Sequence, residues 1–200
     1  MKSLTDAETM SRNFLHLALS LYIPGFFIQL GWGIVSPIIP LYAQSFGIPY
    51  ALVAMVITSS ALGRILSDIP LGALCDRVGR RPLIILGPIL VTFSAILCGF
   101  TQSFYELLLY RFITGVAMAM WTIARQTIIA DSVNPSLRGR VMSTFQGVNM
   151  IGQVAGPAVG GIVAELWGHR APFFFYAAST FFSLVLCLLF VKESACLLYT

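Results

Sequence analysis

The chain has 200 residues, of which 58% are hydrophobic and only 10% charged, and its mean hydropathy is +0.86. Soluble domains carry about 25% charged residues, so this balance excludes an ordinary soluble fold and points to a polytopic membrane protein. The net charge of +4 comes from Lys and Arg scattered at the edges of apolar runs, not gathered on one polar face, which speaks against nucleic acid as a partner.

Six apolar segments, at 14–43, 50–71, 82–100, 105–130, 141–165 and 171–191, are long enough to cross a hydrocarbon core of about 30 Å. Lipid cannot hydrogen-bond free backbone groups, so each is expected to be a helix, and the short connections make successive helices antiparallel. The class is therefore an all-α membrane protein with six transmembrane helices in a bundle over 14–192. Residues 1–13 are a cytoplasmic N-terminal segment and 193–200 a short cytoplasmic tail. The opening MKSLTDAETMSRNF leads into an apolar run too long for a signal-peptide core, so the first span is expected to stay uncleaved. Outside the spans, Lys2, Arg12, Arg77, Arg80, Arg81, Arg138, Arg140 and Lys192 fall on one side and only Arg170 on the other. That bias places both termini in the cytoplasm of a multi-pass protein. Cys75, Cys98, Cys187 and Cys196 have no metal-like or disulfide-like spacing and read as small apolar fillers.

In the first span Pro37 and Pro40 deprive the carbonyls of residues 33 and 36 of their usual partners and bend the helix. The second span holds Arg64 and Asp68 four residues apart, a spacing that lets them pair on one face as a static contact, a latch or a gate. Between the second and third spans, Gly72 to Pro82 packs four charges into one short polar loop, with Asp76 available for charge-assisted hydrogen bonds and Gly79 for a tight turn. On the fourth span, Arg111, Gly115, Met118, Thr122 and Arg125 lie within about 40° of Arg111 at 100° per residue, so both arginines share a face. An Arg at mid-membrane costs roughly 2.5 to 3.5 kcal/mol, so each faces protein or a water-filled cavity; snorkelling to the outer interface is the other reading of Arg111. The fifth span carries Gly152, Gly156 and Gly160 as a smooth stripe, with Pro157 as a kink and Gly161 beside it. No phosphate-binding glycine loop, H-E-x-x-H or Ser/His/Asp set is present, so the expectation is a protein that is not an enzyme and holds no metal or cofactor.

The string G-x-L-x-D-R-x-G-R-R from Gly72 to Arg81 resembles the loop between helices 2 and 3 of the major facilitator superfamily, with Cys75 where an Ala is usual. Leu30-Gly31 followed by Pro37-Ile38-Ile39-Pro40 looks like the first-helix signature of its twelve-helix drug:proton antiporter branch. Leu107, Arg111 and Gly115 are similar to the helix-4 motif, with Thr114 where Gln is frequent, and Gly152 to Gly161 matches the antiporter motif g-x-x-x-G-P-x-x-G-G.

The resemblance implies half of a major facilitator fold, two inverted three-helix repeats, with substrate bound near midplane between two such halves. It assigns Gly72, Asp76, Arg77, Gly79, Arg80 and Arg81 to a conformational latch, extended by Asp131 and Arg138. Arg111 takes a role in proton coupling, and the glycine motif either helps set transport direction or serves packing alone. Arg125, Gln29, Trp32, Met118, Trp121 and Gln126 are the expected cavity lining, aromatic and Met side chains giving adaptable apolar contact. The implied function is secondary active transport by alternating access, as proton-coupled efflux of drug-like amphipathic compounds. The partners are the lipid bilayer, a small-molecule substrate, protons and a second six-helix half or second copy, in a plasma or bacterial inner membrane. On this reading the chain is a truncated N-terminal half. The alternatives are a facilitator or symporter of a sugar or organic anion, and a non-transporting membrane adaptor. The first span lacks the acidic residue that many such antiporters keep there, which leaves the proton carrier unassigned.

Overall fold

The computed structural model describes residues 18–133 and 135–191, so the segment 1–13, the start of the first span and the tail 193–200, with Lys2, Arg12 and Lys192, lie outside the described residues. Every regular element among those described is helical, and six helices are long and apolar enough to cross a membrane: α1 (Leu19–Gln44), α2 (Tyr50–Val78), α3 (Arg80–Phe100), α4 (Phe104–Ser132), α5 (Arg138–Trp167) and α6 (Ala171–Phe190).

α1 is interrupted once. A π-helical turn at Ala18–Tyr22 leads into α-helix over Ile23–Val35, which breaks at Ser36 and Pro37 and resumes over Ile38–Gln44. Pro37 has no N–H for the Gly33 carbonyl, and its ring crowds the turn behind it. Pro40 falls in the first turn of the resumed segment, where no intrahelical donor is missed, so it adds no second break.

The expected loop from Gly72 to Pro82 is not a loop. α2 continues to Val78, so Gly72, Asp76 and Arg77 lie on its last two turns, and α3 begins at Arg80. Gly79 alone makes the reversal, with φ 92° and ψ 172°, a conformation open to glycine and strained for side chains. Hydropathy had marked where the chain leaves the hydrocarbon, which is a different place from where the helix ends. Pro82 sits in the first turn of α3 and ends nothing.

α1 packs on α5 and α6, α4 packs on α2 and α3, and α3 meets α6. Exchanging α1 with α4, α2 with α5 and α3 with α6 leaves this pattern unchanged. A triplet holds an odd number of spans, so the second starts from the opposite side of the membrane: the repeats are inverted. Each repeat seats its first helix on the middle helix of the other through glycine. A methyl at Gly156 would lie 2.5 Å from the Cα of Gly33, and one at Gly115 would strike the Ser60 carbonyl.

Two cores result. One gathers Val35, Ile39, Val56, Val91, Leu107 and Tyr176, and the other Leu21, Ile28, Ile84, Trp121, Phe145 and Cys187. Cys75, Cys98 and Cys187 are buried free thiols. α2 and α5 keep one side uncovered, with Leu62, Ile65, Leu66 and Ile69 exposed on α2 and Met150, Ile151, Val154 and Ile162 on α5.

Candidate functional site

Helix α4 carries the two inner arginines. Arg111 is only 2% exposed. Its guanidinium lies 4.7 Å from the ring centroid of Trp32 on α1, and its Nη2 donates to Ser60 Oγ on α2 at 3.2 Å. The Ser60 hydroxyl in turn donates to the Ile57 carbonyl at 3.1 Å, so it is fixed as an acceptor toward the cation. Gly115, one turn on, draws α2 close enough for that bond, and Gly31 leaves room on α1 for the Tyr176 ring of α6. A desolvated cation–π contact is worth about 2 kcal/mol and a hydrogen bond to a charged group about 1.5 to 3. Together they offset the roughly 2.5 to 3.5 kcal/mol cost of an Arg in the membrane interior. They do not satisfy all of it, because Arg111 Nε has no partner and neither has the buried Tyr176 hydroxyl.

Arg125 repeats the arrangement fourteen residues later, about 21 Å along the helix. Its guanidinium lies 4.2 Å from the ring centroid of the fully buried Phe145 on α5, against which Tyr22 packs edge-on at 5.8 Å. Arg125 Nε lacks a partner, as does Asn149 Oδ1, and the charge acting on Arg125 is the like charge of Arg64. The face of α4 that holds both arginines thus turns toward α1 and α5, the helices of the opposite packing pair. Arg111 is buried within the bundle and does not snorkel to the outer interface.

Around these cations Gln29, Trp32 and Met118 are partly buried and Gln126 is exposed. Trp121 is a correction. It packs against Gly87 of α3 inside a core, about 80° around α4 from Arg111, so it lies off the face that holds the two arginines. The Arg64–Asp68 pair is a second correction. The single ion pair among the described residues joins Arg80 to Asp131, and both Arg64 and Asp68 are exposed without each other. On the uncovered side of α2, each head group is free to turn outward, which a four-residue spacing alone does not reveal. The five described acids, Asp68, Asp76, Glu106, Asp131 and Glu165, are all exposed, and none pairs with Arg111 or Arg125.

At the Arg-rich end the Arg80–Asp131 pair ties the start of α3 to the end of α4, and hence the first repeat to the second. Arg138 Nε donates to the Val133 carbonyl at 3.1 Å and braces the α4–α5 connection. Asp76 and Arg77 are exposed, and Arg81 is partly buried. A methyl at Gly72 would meet nothing within 4 Å, and the same holds for Gly161, whereas Gly152, Gly156 and Gly160 all lie against α1. Reasoning from sequence missed Ser60, Phe145, Asn149 and Tyr176. Each is a polar or aromatic residue within an apolar span, a signal present but shared with many residues that only pack.

A family model described as Major Facilitator Superfamily matches residues 21–195. The chain belongs to the major facilitator superfamily. Over 173 residues it is 32% identical to the multidrug resistance protein MdtG of Proteus mirabilis, covering 84% of this chain and 43% of that protein. It is 30% identical to an uncharacterized MFS-type transporter of Methanocaldococcus jannaschii over 78% of this chain and 40% of that one. To the quinolone resistance protein NorA of Staphylococcus aureus it is 27% identical, over 86% of the chain and 44% of that protein. This superfamily chain therefore spans about two fifths of the length of the curated relatives it matches. Among solved structures, a peptide transporter POT in complex with sulfate superposes with a TM-score of 0.77 at 18% identity, covering 86% of this chain and 37% of that one, a likeness of fold.

Proposed function

We propose that the protein containing this chain exports drug-like amphipathic molecules in exchange for protons, with this six-helix segment forming the half that holds Arg111 and Arg125. The observation that carries the reading is the similarity to relatives named for multidrug and quinolone resistance. The glycine stripe of α5, seated on α1, supports it further. Both termini lie in the cytoplasm. Asp76, Arg77 and the open side of Gly72 then face a second six-helix body, supplied by further polypeptide or by another copy.

The geometry suggests how such a half works. Glycine contacts between α1 and α5 and between α4 and α2 make two close-packed pairs, joined by the α3–α6 contact and the Arg80–Asp131 bridge. A body built in this way rocks as a unit, and substrate meets the face where α1 and α4 present Gln29, Trp32 and Met118. No carboxylate pairs with Arg111 among the described residues.

The test uses inverted membrane vesicles from cells expressing the complete gene. Adding substrate to energised vesicles is expected to release protons from the lumen, read as a partial collapse of an acridine-dye pH signal. A substrate response that survives collapse of the pH gradient overturns proton coupling, and no substrate-dependent flux at all overturns transport.

A further inference from the structure

We propose that the Arg111 guanidinium edge and the Tyr176 hydroxyl, beneath Trp32, form the receptor for the single carboxylate of an amphipathic, aromatic substrate. The proposal rests on the transport reading above and narrows it to a substrate class.

Two unmet polar groups on different helices carry it. Arg111 Nε on α4 has no acceptor, and the Tyr176 hydroxyl on α6 has no partner, although the two residues are 2% and 1% exposed. Native interiors leave few buried donors unmet, and these two meet adjacent residues of α1, Arg111 at Trp32 and Tyr176 at Gly31, which points to an acceptor that arrives from outside. The fixed part of the site is already satisfied: Nη2 is held by Ser60, whose own proton is committed to the Ile57 carbonyl. That anchors the guanidinium plane and leaves its Nε–H as the unmet donor for a carboxylate oxygen.

Charge fixes the valence. One guanidinium neutralises one negative charge, and Arg125 lies about 21 Å further along α4, too far to share a ligand oxygen. A dianion such as a phosphate monoester would keep a net charge in an apolar surround, so a monoanion is favoured. No acid among the described residues takes the place. The surround fixes the remainder of the ligand. Trp32 lies over the cation with part of its surface exposed, and partly buried Leu30 and Met118 border the same core, so an aromatic body attached to the acid has apolar contacts beside its charged end.

The experiment compares a dye acid with its methyl ester, rhodamine 110 and rhodamine 123, in vesicles containing the complete protein. The quantity read is the ratio of the two KM values, which cancels effects on folding, expression or turnover common to both dyes. Arg111→Gln is expected to shift that ratio against the acid by about tenfold or more, and Tyr176→Phe by about threefold to tenfold, with Arg111→Lys between wild type and Arg111→Gln. Equilibrium binding of the same two dyes to purified protein, followed by tryptophan quenching, gives the ratio again as Kd values. A flux of neither dye with an Arg111-dependent binding ratio overturns the transport reading and upholds the site. An unchanged ratio in every accumulating variant overturns the site. So does a parallel loss of both dyes in Arg111→Gln that is repaired by neutralising an Asp or Glu elsewhere in the protein, because the carboxylate is then the protein's own.

Discussion

Arg80 and Arg111 are the same residue type met by opposite solutions. Arg80, at the aqueous end of α3, has Asp131 as a counter-ion and remains partly hydrated, so its pair is worth of order 1 kcal/mol or less. Arg111 is buried in the bundle with a ring from α1, a serine hydroxyl from α2 and no carboxylate among the described residues. Where water is near, a counter-ion is cheap and contributes little; where water is absent, a cation without a counter-ion needs a ring and a hydroxyl to offset its burial. The contrast separates fastening from function within one bundle.

The largest effect expected is on the packing that supports the buried cation. Gly115→Val drives a side chain into the Ser60 carbonyl, parts α4 from α2 and removes the acceptor of Arg111 Nη2; loss of monodisperse protein in detergent gel filtration is the expected result. Normal elution of Gly115→Val would show that α2 and α4 are not in register as described. Trp32→Ala strips the ring from Arg111 and should lower stability by about 2 to 4 kcal/mol, read as a fall in thermal midpoint, with Trp32→Phe recovering much of it. A double-mutant cycle of Arg80→Ala with Asp131→Ala should give a coupling of at most about 1 kcal/mol that weakens in high salt. A value several times larger, insensitive to salt, would make the Arg-rich end a buried pair and erase the contrast. Smallest of all, Asp68→Asn and Gly161→Ala should each stay within about 0.5 kcal/mol of the parent, because neither position is engaged within this chain; Gly156→Ala, facing Gly33, should not.

The difference between what the sequence disclosed and what it hid follows the range of the interactions. Six spans, the Pro37 break and the shared face of Arg111 and Arg125 follow from periodicity and local chain chemistry, and all were legible. Trp121 was counted as cavity lining on its aromatic type, and Gly87 of α3 opens the slot that takes it into a core instead. Arg64 and Asp68 were paired on spacing, yet on an uncovered face spacing only permits a contact. Ser60 and Phe145 reach the arginines across 51 and 20 residues of chain, counted from their positions, and no local pattern marks such partners. The resemblance at Gly72 to Arg81 identified the superfamily correctly while its secondary structure was misread, since the motif records chemistry at an aqueous edge and the helix runs through it.

The single-residue turn at Gly79 has a mechanical consequence. With Gly79 as the whole connection, the ends of α2 and α3 are held within two Cα steps of each other, about 7 Å at full extension, so the two helices share one level at the Arg-rich end. What the joint does allow is rotation about one soft point, and Arg80, the first residue beyond it, is bridged to the far end of α4. Because α2 also packs directly on α4, Gly79 and the Arg80–Asp131 bridge close a short ring of α2, α3 and α4 at the Arg-rich end.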